Sequence, residues 1–189
     1  MPRKNEIDML HGPLLAKIII FAMPLAASNI QQQLFSSVDV AVVGRFDSSY
    51  ALAAVGSNGP VISLLINLFL GISMGANVVI SNHIGQKDNN LTKYAIRTTA
   101  ATALFSGLAL AVIGVLAARP ILTIMGTPTE VLDMAVRYLR IYFIGTPFLL
   151  IYNFGSAILR SKGDTSRPLY ILIVAGIINT VLNLILVIV

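Results

Sequence analysis

The chain has 189 residues, of which 56% are hydrophobic and only 11% are charged. A soluble domain carries about a quarter charged residues, and one of this size could not bury so much apolar surface, so the composition indicates a membrane protein. The absence of cysteine excludes disulfides, a thiol nucleophile and a cysteine-based zinc site, and two histidines make a His-rich metal site a poor prediction.

Charged residues divide the chain into uncharged stretches, and five helices of the roughly 20 residues that a bilayer requires fit into them. The second stretch is too long for one span, and its segment Ser57-Asn58-Gly59-Pro60 is typical of a turn, so we expect a loop before residue 60. Membrane β-strands are a poor alternative because the runs are long and do not alternate. The predicted fold class is an all-α integral membrane protein, a polytopic bundle with five transmembrane helices. The predicted helices are about 14–39, 60–82, 95–118, 135–159 and 168–189.

Lysine and arginine residues predict the orientation of the bundle, because cytoplasmic loops carry an excess of both. Nine of the 13 are on the side of the N-terminus: Arg3, Lys4, Lys17, Lys87, Lys93, Arg97, Arg160, Lys162 and Arg167; the other four are Arg45, Arg119, Arg137 and Arg140. We therefore expect a cytoplasmic N-terminus, and we interpret the basic residues as topology signals rather than as a nucleic-acid patch. A signal peptide over residues 1–30 is the alternative for the first run, but that run continues to Val38 and four further spans follow.

Helix 1 has one polar face. At 100° per residue, five polar residues fall within an arc of about 120°, whereas Gln31 points nearly opposite. Such a face either lines a polar cavity or forms hydrogen bonds between helices, and polar groups inside a membrane rarely face lipid. The five residues are Asn29, Gln32, Gln33, Ser36 and Asp39.

The outer end of helix 1 and a polar stripe on helix 5 carry residues that can bind a cation. Asp39 is either an interfacial charge in water or a partly buried carboxylate that exchanges a proton or holds a small cation. Asn179 and Asn183 lie within about 60° of Gly176 on helix 5. Their amides can donate hydrogen bonds to a carboxylate or offer carbonyl oxygens to a cation, and the alternative is that they only pack between helices. Pro24 kinks or weakens helix 1, unless it is simply tolerated there.

The remaining polar and small residues predict packing and turns. Gly71 and Gly75 have the GxxxG spacing of closely packed membrane helices. Helix 4 is expected to be kinked, with one amide, Asn153, that could reach a cavity. The segment 161–165 is a predicted turn, with Pro168 starting helix 5. The sequence has no catalytic constellation, so we do not expect an enzyme.

Four segments resemble the N-terminal part of the multidrug and toxic compound extrusion (MATE) family. Their order and spacing together are more specific than any one of them, and they cover most of the chain. They are PLAASNIQQQLFSSVDVAVVGRF, ALAAVGSNGPVISLLINLFLGISMGANVVISNHIGQKD, GSAILRSKGDTSRP and NTVLN.

The resemblance implies twelve transmembrane helices in two six-helix lobes, of which residues 1–189 would be an incomplete N-lobe, with the C-lobe absent from this chain. It implies export of small amphipathic, often cationic, drugs or toxic metabolites across the cell membrane by alternating access, driven by H⁺ or Na⁺ entry and without a cofactor. The partners would be these substrates, the bilayer and the missing C-lobe, with no nucleic acid.

The resemblance also implies roles for individual residues. The cation-coupling residues would be Asp39, Asn179 and Asn183, with Na⁺ at Asp39 as one option, and the bend would lie at Pro24. The substrate cavity would be lined by Gln32 and Asn153, to which the polar face adds Asn29 and Ser36. The family often has an aspartate where Asn183 stands, which leaves Asp39 as the carboxylate of this site. The alternatives are a lipid or oligosaccharide-lipid flippase of related fold, and a truncated chain that does not transport.

Overall fold

A computed structural model describes residues 14–46 and 49–188, and these form five α-helices with no strand among them. The helices are α1 (Leu14–Phe46), α2 (Ser49–Gly85), α3 (Asn89–Ile124), α4 (Thr129–Ser161) and α5 (Ser166–Ile188). The connections are short, so successive helices run antiparallel and α1, α3 and α5 share one direction. The prediction of an all-α bundle is confirmed. The basic residues Arg3 and Lys4 lie outside the described residues.

Most helices extend beyond their predicted ends, and the prediction of a loop before residue 60 was wrong. Helix α2 begins at Ser49 and continues through Pro60. The reason is tertiary packing: the buried Asn58 amide donates to the carbonyl oxygens of Ala54 (2.8 Å) and of Ala135 on α4 (3.1 Å). A membrane helix tolerates the lost proline N–H when neighbouring groups hold the backbone in place. Arg137 and Arg140, which the orientation count assigned to a connection, lie within α4.

Helices α1 to α4 are long and apolar enough to cross a membrane, by length and composition. In α5 the apolar stretch within the described part of the chain, Ser166–Leu182, is shorter. Large apolar side chains remain exposed on the outside of the bundle, including Phe105, Leu116 and Phe148, each at least 70% exposed. A bundle in water would leave this surface unfavourably hydrated, so the exposed apolar faces fit a lipid environment.

Helices α3 and α4 form the closest pair in the bundle. A row of mostly small residues on α3 lies against α4, and a Cβ at Gly107 would come within 2.7 Å of Pro147 Cα. A Cβ at Gly114 would overlap the Phe143 ring. Small residues let membrane helices approach closely and gain dispersion energy along their length. The row consists of Ala103, Gly107, Gly114, Ala118 and Leu122.

Two asparagines join α2 to α4. Asn58 bonds to the Ala135 carbonyl towards one end, and Asn77 donates to the Ala157 carbonyl at 2.9 Å towards the other. Helix α1 instead packs mainly against α5, where Gly176 is buried beneath the Phe35 ring. Helices α2, α3 and α4 thus form one tightly packed unit, and α1 and α5 form a pair beside it.

The predicted GxxxG contact on α2 was wrong for the described part of the chain. A Cβ at Gly71 or Gly75 would meet nothing within 4 Å. The predicted turn after helix 4 is confirmed, and the Asp164 carboxylate accepts the Arg167 N–H at 3.1 Å and so caps the start of α5.

Helices α2, α3 and α4 end in the same way, with one residue in the left-handed region of backbone conformation. The next residue donates its backbone N–H to the carbonyl oxygen of the residue five positions before it, at 3.0–3.1 Å. Two of these left-handed residues are glycines, Gly126 (φ 73°) and Gly163 (φ 81°), but the one after α2 is Lys87 (φ 58°). Helix α3 then begins at a cap in which Asp88 accepts two backbone N–H groups.

Candidate functional site

A cavity of about 680 Å³ lies between α1, α2 and α4. Its polar lining comes from all three helices, and none of the described residues that line it carries a formal charge. The rest of the wall is apolar, with Leu52, Val55 and Ile66 among its members. The polar lining residues are Asn29, Gln32, Gln33, Ser36, Ser63, Asn67, Tyr138 and Tyr142.

The α1 wall of this cavity is the polar face identified in the sequence. The structure places Asn29, Gln32, Gln33 and Ser36 together on it because residues three and four apart lie above one another on a helix. Gln31 is absent from the wall. Each wall amide combines donors with an acceptor, so this surface can hydrogen-bond groups of either kind without adding charge. The substrate roles of these residues stay predictions.

The facing walls add polar groups that sequence reasoning missed. Asn67 on α2 donates to the Ser63 carbonyl at 2.8 Å, which leaves its own carbonyl oxygen available to the cavity. Tyr138 and Tyr142 are four residues apart, so they stack on one face of α4. Tyrosine offers an apolar ring, a hydroxyl and a π face that attracts cations. Their spacing was the signal in the sequence that could have identified this wall.

The structure does not bring Asn153 to the cavity wall. Asn153 is buried, and it lines a small void of about 10 Å³ that shares Ile66 and Tyr142 with the larger cavity. Its role as a substrate contact stays a prediction.

The contact between α1 and α5 sets the register of the predicted cation site. Because the two helices run in the same direction, the Phe35–Gly176 contact brings position 39 to the level of positions 179–183. The side chains of Asp39 and Asn183 lie outside the part of the chain that the structure describes. Asn179 is exposed, and among the described residues no group of three His, Cys, Asp or Glu side chains could hold a metal ion. The cation site remains a prediction.

Pro24 lies inside α1, which continues as one helix from Leu14 to Phe46. The proline has no N–H, so the helix offers no donor at this point to the carbonyl four residues earlier. The Ser28 hydroxyl donates to the Pro24 carbonyl at 2.8 Å, in the turn that follows the one without the proline donor. The helix is not interrupted at Pro24, and the bend there stays a prediction.

Known proteins resemble the chain over nearly its whole length. The MatE family model matches residues 24–185. The probable multidrug resistance protein YoeA of Bacillus subtilis (strain 168) is 37% identical over 163 residues, which cover 86% of this chain and 35% of YoeA.

Solved structures of MATE proteins superpose on most of this chain. MATE in the straight conformation matches with a TM-score of 0.88 at 25% identity, over 98% of this chain and 41% of that chain. MATE in the bent conformation gives 0.83 at 25% identity, over 89% of this chain and 38% of that chain. The chain thus spans about two fifths, or less, of the length of these relatives.

Proposed function

This chain belongs to the MatE family, and we propose that it supplies the first five helices of a multidrug exporter. The exporter is a membrane transporter rather than an enzyme, and its substrates are amphipathic compounds, neutral or cationic. The observation that carries this proposal is the cavity between α1, α2 and α4. Its volume of about 680 Å³ falls in the range of drug-binding pockets, roughly 300–1,000 Å³.

The chemistry of the lining favours such substrates over anionic lipids. Amides and hydroxyls satisfy the polar end of an amphiphile, the apolar wall receives its hydrophobic part, and the rings of Tyr138 and Tyr142 attract a cation. A flippase for lipids or oligosaccharide-lipids would have to bind phosphate, for which arginine and lysine are the usual ligands. None of the described lining residues is basic.

The test compares two neighbouring glutamines in the natural full-length protein. We expect Gln32→Leu to lower efflux of a cationic dye about fivefold, the effect of one lost hydrogen bond of about 1 kcal/mol. Gln31→Leu is the matched control, since Gln31 does not line the cavity. Equal losses in the two variants would refute the assignment of the cavity as the substrate site, and faster lipid flipping than dye efflux would favour the flippase.

We further propose that export is coupled to H⁺ or Na⁺ at Asp39, supported by Asn179 and Asn183. The register set by Phe35 and Gly176 supports this proposal. Cation binding drives the transport cycle only if it is stronger in one conformation than in another. In this mechanism the bound cation changes the bonds between α1 and α5, α1 bends at Pro24, and the cavity releases its substrate outward.

Substitution of the carboxylate tests the coupling. Asp39→Asn in the full-length protein is expected to abolish cation-dependent efflux while dye binding persists. The control is Asp133→Asn, because Asp133 is an exposed carboxylate paired with Arg119 at 3.1 Å, away from the cavity lining. Undiminished cation-dependent efflux in Asp39→Asn would contradict the proposal.

We also propose that the protein lies in the cell membrane with its N-terminus in the cytoplasm. The excess of lysine and arginine on that side supports this orientation. These 189 residues contain no cysteine, and single cysteines placed in a full-length protein without other cysteines can report the orientation. An impermeant maleimide applied to intact cells should label Glu130→Cys and spare Lys162→Cys, two exposed positions at opposite ends of α4. Labelling of Lys162→Cys but not of Glu130→Cys would show that the orientation is the opposite of the one proposed.

A further inference from the structure

A notch of about 420 Å³ lies between the last turns of α2 and the first turns of α3, on a different side of α2 from the drug cavity. Its floor is apolar, formed by Ala76 and Val79 of α2 and by Leu91 and Ala95 of α3. Val79 and Leu91 remain about half exposed. The notch has the size and apolar character to receive part of a lipid acyl chain rather than a hydrated solute.

Polar groups gather in the same notch. His83, Tyr94, Thr98 and Thr99 contribute to its lining. The Nδ1 atom of His83 is buried and has no hydrogen-bond partner among the described residues. A buried polar atom without a partner costs free energy, and such atoms are normally satisfied by water or by a ligand. The notch therefore combines an apolar floor with an unsatisfied polar group near one end.

Lys87 supplies a positive charge at this end of the helices. It lies one turn beyond His83 and adopts φ 58°, in a helix ending where the chain elsewhere uses Gly126 and Gly163. A non-glycine residue in this conformation is strained, and glycine is the usual residue at such a helix end. The adjacent Asp88 carboxylate is engaged by two backbone N–H groups of α3. No ion pair to Lys87 occurs within residues 14–46 and 49–188.

We propose that this notch binds an anionic phospholipid. The phosphate is held by the Lys87 ammonium with hydrogen bonds from the His83 imidazole and the Tyr94 hydroxyl, and an acyl chain lies along the apolar floor. The unpaired positive charge beside an apolar notch is complementary to an anionic lipid. Basic pockets between helices on the cytoplasmic side are a known way of binding anionic headgroups, and the lysine and arginine distribution predicts that this end is cytoplasmic.

The test measures lipid retention by the purified full-length protein in native mass spectrometry, with phosphatidylglycerol and phosphatidylcholine of identical chains. We expect the wild type to retain phosphatidylglycerol preferentially. Lys87→Ala should lower that preference about fivefold, the effect of one basic residue near an anionic headgroup. The matched control is Lys93→Ala, which removes the same charge from an exposed position on the face of α3 opposite Leu91 and Ala95 and should change the preference little.

A second variant tests the apolar part. Ala95→Phe fills the floor while leaving Lys87 in place, and it should reduce retention of both lipids. Equal effects of Lys87→Ala and Lys93→Ala would show that net charge alone matters, and would overturn the proposal. Unchanged lipid retention in a folded Ala95→Phe protein would equally overturn it. If Ala95→Phe does not fold, the two lysine variants decide the question. Dye efflux is not the readout, so failure here leaves the proposed export function untouched.

Discussion

Gly176→Ala tests how α1 and α5 are held together. A Cβ at this position would overlap the Cδ2, Cε2 and Cζ atoms of the Phe35 ring. Gly176 is buried and Phe35 is half-buried, so a ring that moves aside to admit the methyl group gives up part of its contact with α5. The added methyl group must therefore displace the Phe35 ring or separate the two helices, and either change disturbs the register that brings position 39 level with positions 179–183.

The magnitude follows from two opposing effects. Alanine in place of glycine inside a helix stabilises by about 1 kcal/mol, whereas an extra methyl in a filled contact costs about 1–3 kcal/mol. Gly75→Ala is the matched control, because its Cβ meets nothing within 4 Å and only the helical gain remains. We expect Gly176→Ala to be less stable than Gly75→Ala by about 1–3 kcal/mol. Thermal unfolding of the purified full-length protein in detergent measures the difference.

A double substitution assigns the effect to the ring. In Phe35→Ala/Gly176→Ala the new methyl group occupies space that the ring has left, so the combined loss should be smaller than the sum of the two single losses. Residues in direct contact typically show such coupling at about 0.5–3 kcal/mol. The reasoning is refuted if Gly176→Ala unfolds at the same temperature as Gly75→Ala, or if the two losses simply add.

Three further substitutions test other contacts, each read by thermal unfolding of the full-length protein. Gly114→Ala should be less stable than Gly155→Ala by about 1–3 kcal/mol, because a Cβ at Gly114 would overlap the Phe143 ring whereas one at Gly155 has open space around it. Asn58→Leu should cost about 1–3 kcal/mol, since it removes two hydrogen bonds from a fully buried amide, and an unaltered melting temperature would contradict that role. Lys87→Gly should stabilise by about 1 kcal/mol through relief of the left-handed backbone, and a loss of stability would argue against strain there.

The helices and the polar face of α1 could be predicted because both depend on local sequence. A run of about 20 uncharged residues has few other stable structures in a bilayer. The helical rotation of 100° per residue places Asn29, Gln32 and Ser36 on one side whatever the neighbouring helices do, and the structure brings all three to the cavity wall.

The features that sequence reasoning missed depend on contacts between distant residues. Asn58 and Pro60 are typical of a turn, and they remain helical because a carbonyl of α4, 77 residues after Asn58, accepts the Asn58 amide. Tyr142 and Asn153 lie about 20° apart around α4, yet only Tyr142 reaches the large cavity. The two residues differ in their position along the axis of α4, and α2 and α3 determine what covers α4 at each position. No local pattern contains that information.

The position of the cavity connects the fold to the proposed transport. One wall is α1, which packs mainly against α5, and the other walls belong to α2 and α4, which Asn58 and Asn77 join at both ends. A change in the α1–α5 pair therefore alters the cavity without breaking the packed unit of α2, α3 and α4. The predicted cation residues lie on that pair, level with one another beyond the Phe35–Gly176 contact. Cation binding there would act on the wall of the cavity that is least constrained by the rest of the bundle.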